Sequence, residues 1–280
     1  MPEGYRLGAA GFVPVPSVPL LPAPPDHNVI DSFLLVDGVV SGLGLHIDRF
    51  VRSVSGFASL RVSAAELEFM VRACLPQVGE WFPRLECHAV DRGGPGEVYL
   101  WVRPAPARRA ATRLWVPAGS DPRERPEIKG WDLPALTDMR AEAVRQGADD
   151  ALLLAAATGD AIETTTGALV AWVGDHLVTA DAGVLPSVTW RRTIAGVRAA
   201  GIRVVFGAVG VEELRRLPCA VGNALHGWTP VVAIHDSHTV TRNPTPPVDL
   251  HRFLRLRRCG FRRGRCGPPA ANPAGFPAAP

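Results

Sequence analysis

The chain has 280 residues, 47% of them apolar, and a formal net charge of only +3. This length accommodates one large domain or two smaller ones, and the apolar fraction is sufficient for a hydrophobic core. The small net charge argues against a nucleic-acid-binding protein, and no run approaches the ~18 apolar residues of a membrane span. Because the N-terminus also lacks the charged-then-apolar order of a signal peptide, we expect neither secretion nor membrane insertion.

Predicted elements begin with a proline-rich N-terminal arm over residues 1–28, where six residues of the run VPVPSVPLLPAPP at 13–25 are proline and preclude a regular helix. A small α/β domain is predicted over residues 29–116. In it, the apolar segments 32–36 and 39–40 flank Asp37-Gly38, which is typical of a hairpin turn. A loop then leads into a helix near residues 43–52, a second helix starts at Ser63 with Glu66 completing a capping box, and strands follow at 84–90 and 98–103.

Residues 117–128 (PAGSDPRERPEI) are polar and proline-rich, so they are predicted to link two domains. The larger domain is predicted over residues 129–242. Its predicted elements are a helix at 134–146, a strand at 151–155, a hairpin of 168–173 and 177–179, a helix at 189–200, and strands at 203–206 and 231–234. The composition of residues 243–280 turns to Pro, Arg, Gly and Ala, which predicts a disordered tail.

The five cysteines are odd in number and scattered, with no CxxC pair. This usage favours a reducing compartment, so we expect a cytoplasmic protein without a metal site.

Lysine usage is the most unusual feature of the composition. Of the 30 Lys and Arg residues, only Lys129 is a lysine. A partly buried lysine can lose its proton and attack a carbonyl group, whereas arginine remains charged. An ordinary surface lysine is the alternative, and the surrounding motifs decide between the two.

Several motifs accompany Lys129 in a definite order along the chain. They are LHIDR at 45–49, DDALLL at 149–154, IETTT at 162–166, GVLPSVT at 183–189 and NALHGWTPV at 223–231. In order and spacing, these motifs resemble the class IV pyridoxal-phosphate-dependent aminotransferase family, from about residue 32 to 234. That family includes branched-chain aminotransferases, D-amino-acid aminotransferases and 4-amino-4-deoxychorismate lyases.

The resemblance implies an α+β fold of type IV, with a small N-terminal α/β domain and a larger C-terminal domain built on a barrel-like mixed sheet. Pyridoxal 5'-phosphate is expected between the domains. The resemblance also implies a homodimer in which each subunit closes the other's site, and small amino-acid and keto-acid substrates.

Residue roles follow from the same resemblance. Lys129 matches the family's Schiff-base lysine, and Glu163 matches the glutamate that keeps the pyridine nitrogen protonated. The turn Ser187-Val188-Thr189 matches the phosphate-binding turn, with serine in place of glycine, and Arg49 matches the phosphate arginine. His46, next to this arginine, is interpreted as a packing residue.

Three positions depart from the family pattern. Ala224 stands where the family often has a hydroxyl that contacts the phosphate, and the loss of one neutral hydrogen bond costs about 1 kcal/mol. Leu133 stands where an aromatic or other functional residue usually follows the lysine. Ala168 lies where an asparagine is typical, so the substrate class stays open.

Three functions are therefore considered. The first is amino transfer between an amino acid and a 2-keto acid through Lys129. The second is an aminodeoxychorismate-lyase-like elimination that releases pyruvate and 4-aminobenzoate, which the pattern Asn223…Gly227…Pro230-Val231 slightly favours. The third is a degenerate paralogue that acts as a binding protein, which the departures at Leu133 and Ala224 motivate.

Overall fold

The computed structural model describes residues 3–15, 28–89 and 93–254. Half of the predicted N-terminal arm (residues 1–2 and 16–27) and the last part of the predicted tail (255–280) lie outside these residues.

The N-terminal part combines two antiparallel sheets with two helices. Its elements are β1 (Glu3–Gly8), β2 (Gly11–Val15), β3 (Asn28–Ser32), β4 (Leu35–Val36), β5 (Val39–Val40), α1 (Leu43–Ser55), α2 (Ala64–Cys74), β6 (Glu80–Trp81), β7 (Arg84–Ala89) and β8 (Gly96–Val102). The larger sheet has the order β2-β1-β8-β7-β3, and the smaller has the order β5-β4-β6. Helix α1 buries residues spaced three and four apart, including Ile47 and Phe50, against a core that contains Phe33 and Leu85.

The C-terminal part is built on a closed barrel. Its elements are β9 (Thr112–Trp115), α3 (Leu133–Arg145), β10 (Asp150–Leu154), β11 (Ala161–Thr164), β12 (Ala168–Val173), β13 (His176–Thr179), α4 (Val188–Ala199), β14 (Arg203–Phe206), α5 (Val211–Leu214), β15 (Cys219–Asn223), β16 (Gly227–His235), β17 (Val240–Arg242) and a 3-10 helix (Leu250–Leu254). The strand order β11-β10-β9-β16-β15-β12 closes on itself because β11 also pairs with β12. Strand β9 is parallel to both neighbours and the other barrel pairs are antiparallel, so the predicted barrel-like mixed sheet is confirmed.

Several predicted elements agree with the structure within one or two residues, among them α3, α4 and the hairpin of β12 and β13. The capping box of α2 is present, with the Glu66 amide donating to Ser63 Oγ at 3.3 Å. The turn between β4 and β5 has Asp37 and Gly38 at positive φ, as the hairpin signature predicts.

Other segments differ from the prediction. Residues 3–15 of the predicted arm form the β1–β2 hairpin, because Tyr5, Leu7 and Phe12 pack against the core of the N-terminal part. Strand β9 lies within the predicted small domain, but it pairs with strands of the barrel. The predicted domain boundaries at residues 116 and 129 stay a prediction. In the predicted tail, Leu250 is buried and the 3-10 helix packs on α4 through Phe253, because these apolar residues interrupt the polar composition.

No helix among the described residues is long and apolar enough to cross a bilayer.

Candidate active site

A cavity of about 270 Å³ lies between the N-terminal sheets and the barrel. It is lined by every site residue singled out from the sequence, namely Arg49, Lys129, Glu163, Ser187, Val188, Thr189 and Ala224. Leu133 and Ala168, the two other positions that depart from the family pattern, also line it. A neighbouring cavity of about 810 Å³ shares His46, Thr189 and Ala224 with it, so the space continues beyond the first cavity.

Lys129 is held in this cavity by the backbone on either side of it. The Ile30 amide donates to the Lys129 carbonyl at 2.8 Å, which ties the lysine to strand β3. The next residue, Gly130, has φ of 109°, and a Cβ there would lie 2.8 Å from Ile30 N. Only glycine therefore fits this close approach of the two segments.

The Lys129 amine is in an unusual electrostatic position. Burial lowers its pKa, the nearby guanidinium groups of Arg49 and Arg84 lower it further, and Asp31 and Glu163 oppose that shift. The two carboxylates are already paired with other cations, Asp31 with Arg49 and Glu163 with Arg123. The amine is therefore more readily deprotonated than a surface lysine.

Glu163 projects from β11 and is only 4% exposed. Its Oε2 accepts hydrogen bonds from Arg123 Nη1 at 2.8 Å and from the Leu185 amide at 3.1 Å. Both of these bonds fall on one oxygen, which leaves Oε1 for another donor. Burial raises the pKa of the Glu163 carboxyl, and the Arg123 guanidinium and the Leu185 amide oppose this rise.

Arg123 is the main partner of Glu163, and the sequence did not single it out. Its guanidinium also forms a bidentate pair with Asp121, with Nη2 to Oδ2 at 2.7 Å, and donates to the Gly183 carbonyl at 3.0 Å. It lies in the predicted linker, which carries no regular secondary structure. Among so many arginines, no spacing or motif marked this one.

Arg49 is fixed by a buried cluster on the opposite wall. Asp31 on β3 accepts bidentate hydrogen bonds from Arg49 Nε and Nη2, both at 2.8 Å, and lies 2.8 Å from His46 Nδ1. Burial raises the pKa of Asp31, but Arg49 and His46 lower it more, so it lies below its ordinary value. His46 is 3% exposed and packs on Phe33, in agreement with its interpretation as a packing residue.

The first turn of α4 lies beside Arg49. Ser187 caps the helix by accepting a hydrogen bond from the Trp190 amide at 3.3 Å. Arg49 Nη1 donates to the Pro186 carbonyl at 3.1 Å, so its guanidinium contacts the residue just before the helix cap. Free amides at a helix N-terminus together with a guanidinium group favour an anion at this end of the cavity.

The threonine run after Glu163 is held by one buried carboxylate. Asp150, at the start of β10, accepts hydrogen bonds from the hydroxyls of Thr164, Thr165 and Thr166. These bonds shape the turn between β11 and β12 where it lines the cavity. Asn223 Nδ2 donates to Thr166 at 3.4 Å and so connects this turn to the β15–β16 loop.

Two further arginines line the wall formed by the N-terminal part, and the sequence did not single them out either. Arg84 Nε lies 2.6 Å from Glu86 Oε1 and forms an ion pair with it. Arg103 donates to the Phe82 carbonyl at 3.3 Å and lies over the Phe82 ring. Burial and the neighbouring Arg84 lower the pKa of Arg103, which has no ion pair among the described residues. This wall therefore carries an excess of positive charge.

Comparisons with known proteins concern the family and the fold of the chain. Residues 28–234 match the family model for amino-transferase class IV. An aminotransferase from Brucella abortus bound to PLP is similar in structure, with a TM-score of 0.75 at 17% identity over 90% of this chain and 96% of that chain. A branched-chain aminotransferase from Thermoproteus uzoniensis with norvaline has a TM-score of 0.75 at 17% identity over 90% and 91%.

A hypothetical aminotransferase from Mycobacterium tuberculosis in apo form has a TM-score of 0.72 at 19% identity, over 91% of this chain and 96% of that chain. At these identities the likeness concerns the fold. No curated protein sequence matches the chain.

Proposed function

Because the chain belongs to the class IV aminotransferase family, we propose that it is a pyridoxal-phosphate-dependent enzyme that transfers an amino group between an amino acid and a 2-keto acid. The observation that carries this proposal is the position of the only lysine, partly buried in a cavity that Glu163 and the first turn of α4 also line. An amine, a carboxylate and an anion-binding turn around one cavity fit this cofactor. Bound there, the cofactor would act as the electron sink for bond changes at the substrate Cα.

Lys129 would hold the cofactor as a Schiff base and move the proton at the substrate Cα. Its lowered pKa supports both roles, because a neutral amine is a nucleophile and a proton acceptor. Arg49 and Arg84 maintain this state by disfavouring a further positive charge nearby. Glu163 would stabilise a protonated ring nitrogen through Oε1, while Arg123 and Leu185 hold Oε2.

The phosphate group would lie at the N-terminus of α4. The amides of Val188 and Thr189 and the spare N–H groups of Arg49 would contact it, with Ser187 at the helix cap. Ala224 lines the cavity without supplying a hydroxyl, so backbone groups carry more of the binding here. On the wall formed by the N-terminal part, Arg84 and Arg103 would bind the substrate carboxylate.

Spectra and products of the purified protein test this proposal. We expect PLP to produce an absorbance band characteristic of a bound Schiff base, and an amino acid to convert that band to the pyridoxamine form. Addition of a keto acid should restore it and yield a new amino acid. Absence of the absorbance band would favour the hypothesis of a non-catalytic binding protein. Release of stoichiometric pyruvate from aminodeoxychorismate, without an added keto acid, would favour the lyase.

Replacement of Arg123 by methionine is expected to weaken PLP binding about tenfold, equivalent to roughly 1.4 kcal/mol. Burial already raises the pKa of the Glu163 carboxyl, and without this guanidinium the pKa would rise further and favour a neutral carboxyl that pairs poorly with a protonated ring. Titration of the cofactor-free protein with PLP, followed by absorbance, measures the effect.

Arg125→Met is the matched control for this change. Arg125 lies two residues further along the same segment, pairs with the exposed Glu127 at 2.6 Å and packs on Trp131. We expect it to leave PLP affinity unchanged. Equal affinities for wild type and Arg123→Met would contradict the role assigned to Arg123.

A further inference from the structure

The last described segment of the chain, residues 248–254, lies beyond the part of the chain that matches the family model. The Asp249 side chain accepts a hydrogen bond from the His251 amide at 2.9 Å, so the segment turns into a 3-10 helix at this point. Leu250 and Phe253 are three residues apart, and a 3-10 helix has about three residues per turn. Both side chains therefore lie on the same face of this helix.

The apolar face of this segment packs on α4 and on strand β16. Leu250 is 2% exposed and belongs to a buried cluster with Val197 of α4 and Trp228 of β16. Phe253 fits against Gly196 of α4, where a Cβ would lie only 2.7 Å from Phe253 Cδ1. Glycine at this position therefore allows the segment to approach the helix closely.

The same segment also contacts the loop between β15 and β16. A Cβ on Gly227, at the end of this loop, would overlap with the His251 ring and lie 3.4 Å from Leu254 Cδ1. Ala224 belongs to this loop, and Ala224, His251 and Leu254 all line the neighbouring cavity of about 810 Å³. Two side chains of the segment therefore pack against the loop on which Ala224 lies.

Arg192 of α4 connects the segment with a third element. Its Nη2 donates to the Leu254 carbonyl at 3.0 Å. Its Cδ would lie 2.7 Å from a Cβ on Gly42, at the start of α1. Helix α1 carries Arg49, and the cap of α4 is Ser187. Through Arg192 and residues 248–254, the three elements of the candidate phosphate site, α1, α4 and the β15–β16 loop, are therefore packed together.

We propose that residues 248–254 are a clamp that retains the cofactor by its phosphate group. The clamp holds α1, α4 and the β15–β16 loop at a fixed spacing, so the groups that would contact the phosphate are preorganised. This support matters in this chain because Ala224 supplies no hydroxyl to the phosphate. Phe253 and Arg192 are positioning residues that act through these elements. The inference rests on the proposed function, which places the phosphate at the N-terminus of α4.

The test compares the binding of PLP with that of pyridoxal, which has the same ring and aldehyde but no phosphate. Phe253→Ala removes the packing on Gly196 without changing any charge. We expect it to lower PLP affinity about tenfold, the equivalent of one hydrogen bond to a charged group, with faster dissociation. Affinity for pyridoxal should fall much less, because pyridoxal does not use the phosphate site. Absorbance titration of the cofactor-free, full-length protein measures both affinities.

Phe12→Ala is the matched control for lost aromatic packing, because Phe12 packs on the core of the N-terminal part. It should leave the ratio of PLP to pyridoxal affinity at the wild-type value. Arg192→Met breaks the hydrogen bond to Leu254 and retains Phe253, so it keeps the test independent of a folding defect at position 253. We expect the same selective loss of PLP affinity. Arg198→Met, at an exposed position in the last turn of α4, is its control and should bind PLP like the wild type.

Equal losses of affinity for PLP and pyridoxal, or a selective loss in Phe12→Ala as well, would overturn the clamp. A selective loss in Arg192→Met but not in a folded Phe253→Ala would also overturn it, because that result would show an effect of charge and not of packing.

The wild-type spectrum separates this inference from the proposed function. A wild-type protein that forms no Schiff-base band with PLP would refute the proposed function and the clamp together. If the band forms and both variants bind PLP like the wild type, only the clamp is refuted. If the selective losses occur in a protein that transfers no amino group, the clamp is supported and only the transfer reaction is refuted.

Discussion

Lys129→Ala is expected to abolish amino transfer, with a loss of at least about 10³-fold in kcat, because general acid–base catalysis alone contributes about 10²–10⁴. The variant removes both the amine that would hold the cofactor and the group that would carry the Cα proton. Lys129→Arg is the matched control for charge, since arginine keeps a cation in the cavity but cannot react with a carbonyl. We expect both variants to lack the absorbance band of the wild type.

Reduction with borohydride locates the reacting amine directly. Because no other lysine exists in the chain, a reduced PLP adduct must lie on Lys129 or on the terminal amine. Peptide mass spectrometry distinguishes the two, and we expect one adduct on the peptide that contains Lys129. An adduct on the terminal amine alone, or turnover that survives in Lys129→Ala, would refute the assignment.

Asp31→Ala is expected to destabilise the cofactor-free protein by about 3–5 kcal/mol, the usual cost of breaking a buried ion pair. Asp31 has no exposed surface; it neutralises Arg49, which is 5% exposed, and is hydrogen-bonded to His46. The alanine variant leaves this guanidinium buried without a counter-charge. Denaturant unfolding measures the effect, and weaker PLP binding should accompany it because Arg49 loses its anchor.

Glu142→Ala provides the comparison at the surface. The Glu142–Arg145 pair is exposed, and its loss should cost about 0.5 kcal/mol or less. A similar loss of unfolding free energy in Asp31→Ala and Glu142→Ala would contradict the structural role of Asp31.

The pH dependence of the unfolding free energy is a second test of the role of Asp31. The pKa of Asp31 is lower in the folded state, so its contribution to stability is present above its unfolded pKa of about 3.9 and is lost as the pH falls below that value. The difference in unfolding free energy between wild type and Asp31→Asn should therefore shrink below about pH 4. A difference that stays constant from about pH 7 to pH 3 would show that the charge is unimportant.

Local sequence patterns were sufficient for much of the fold. The Ser63–Glu66 capping box, the Asp37-Gly38 turn and the periodicity of α3 and α4 each depend on neighbours within a few residues. The β1–β2 hairpin and strand β9 escaped prediction because each also pairs with a strand about a hundred residues away, β1 with β8 and β9 with β16. For a short strand, remote pairing and burial outweigh local preference.

Some residues of the candidate site could likewise be identified from sequence patterns, and others only from the structure. Order and spacing of motifs were enough to select Lys129, Glu163, Arg49 and the turn at Ser187, all of which line one cavity. Asp31 was not singled out from the sequence, because its role depends on Arg49 and His46, which lie 15 to 18 residues further along the chain and meet it only in the fold.

The sequence by itself determined the family and the identity of the only amine that can serve as a Schiff-base lysine, because both are properties of residue type and order. The tertiary structure alone decided which of many arginines face that amine, that Arg123 holds Glu163, and that Arg192 contacts the backbone of Leu254. Electrostatic energies depend on separation and burial in space. Residues distant in the chain acquire both only when the barrel closes against the N-terminal sheets.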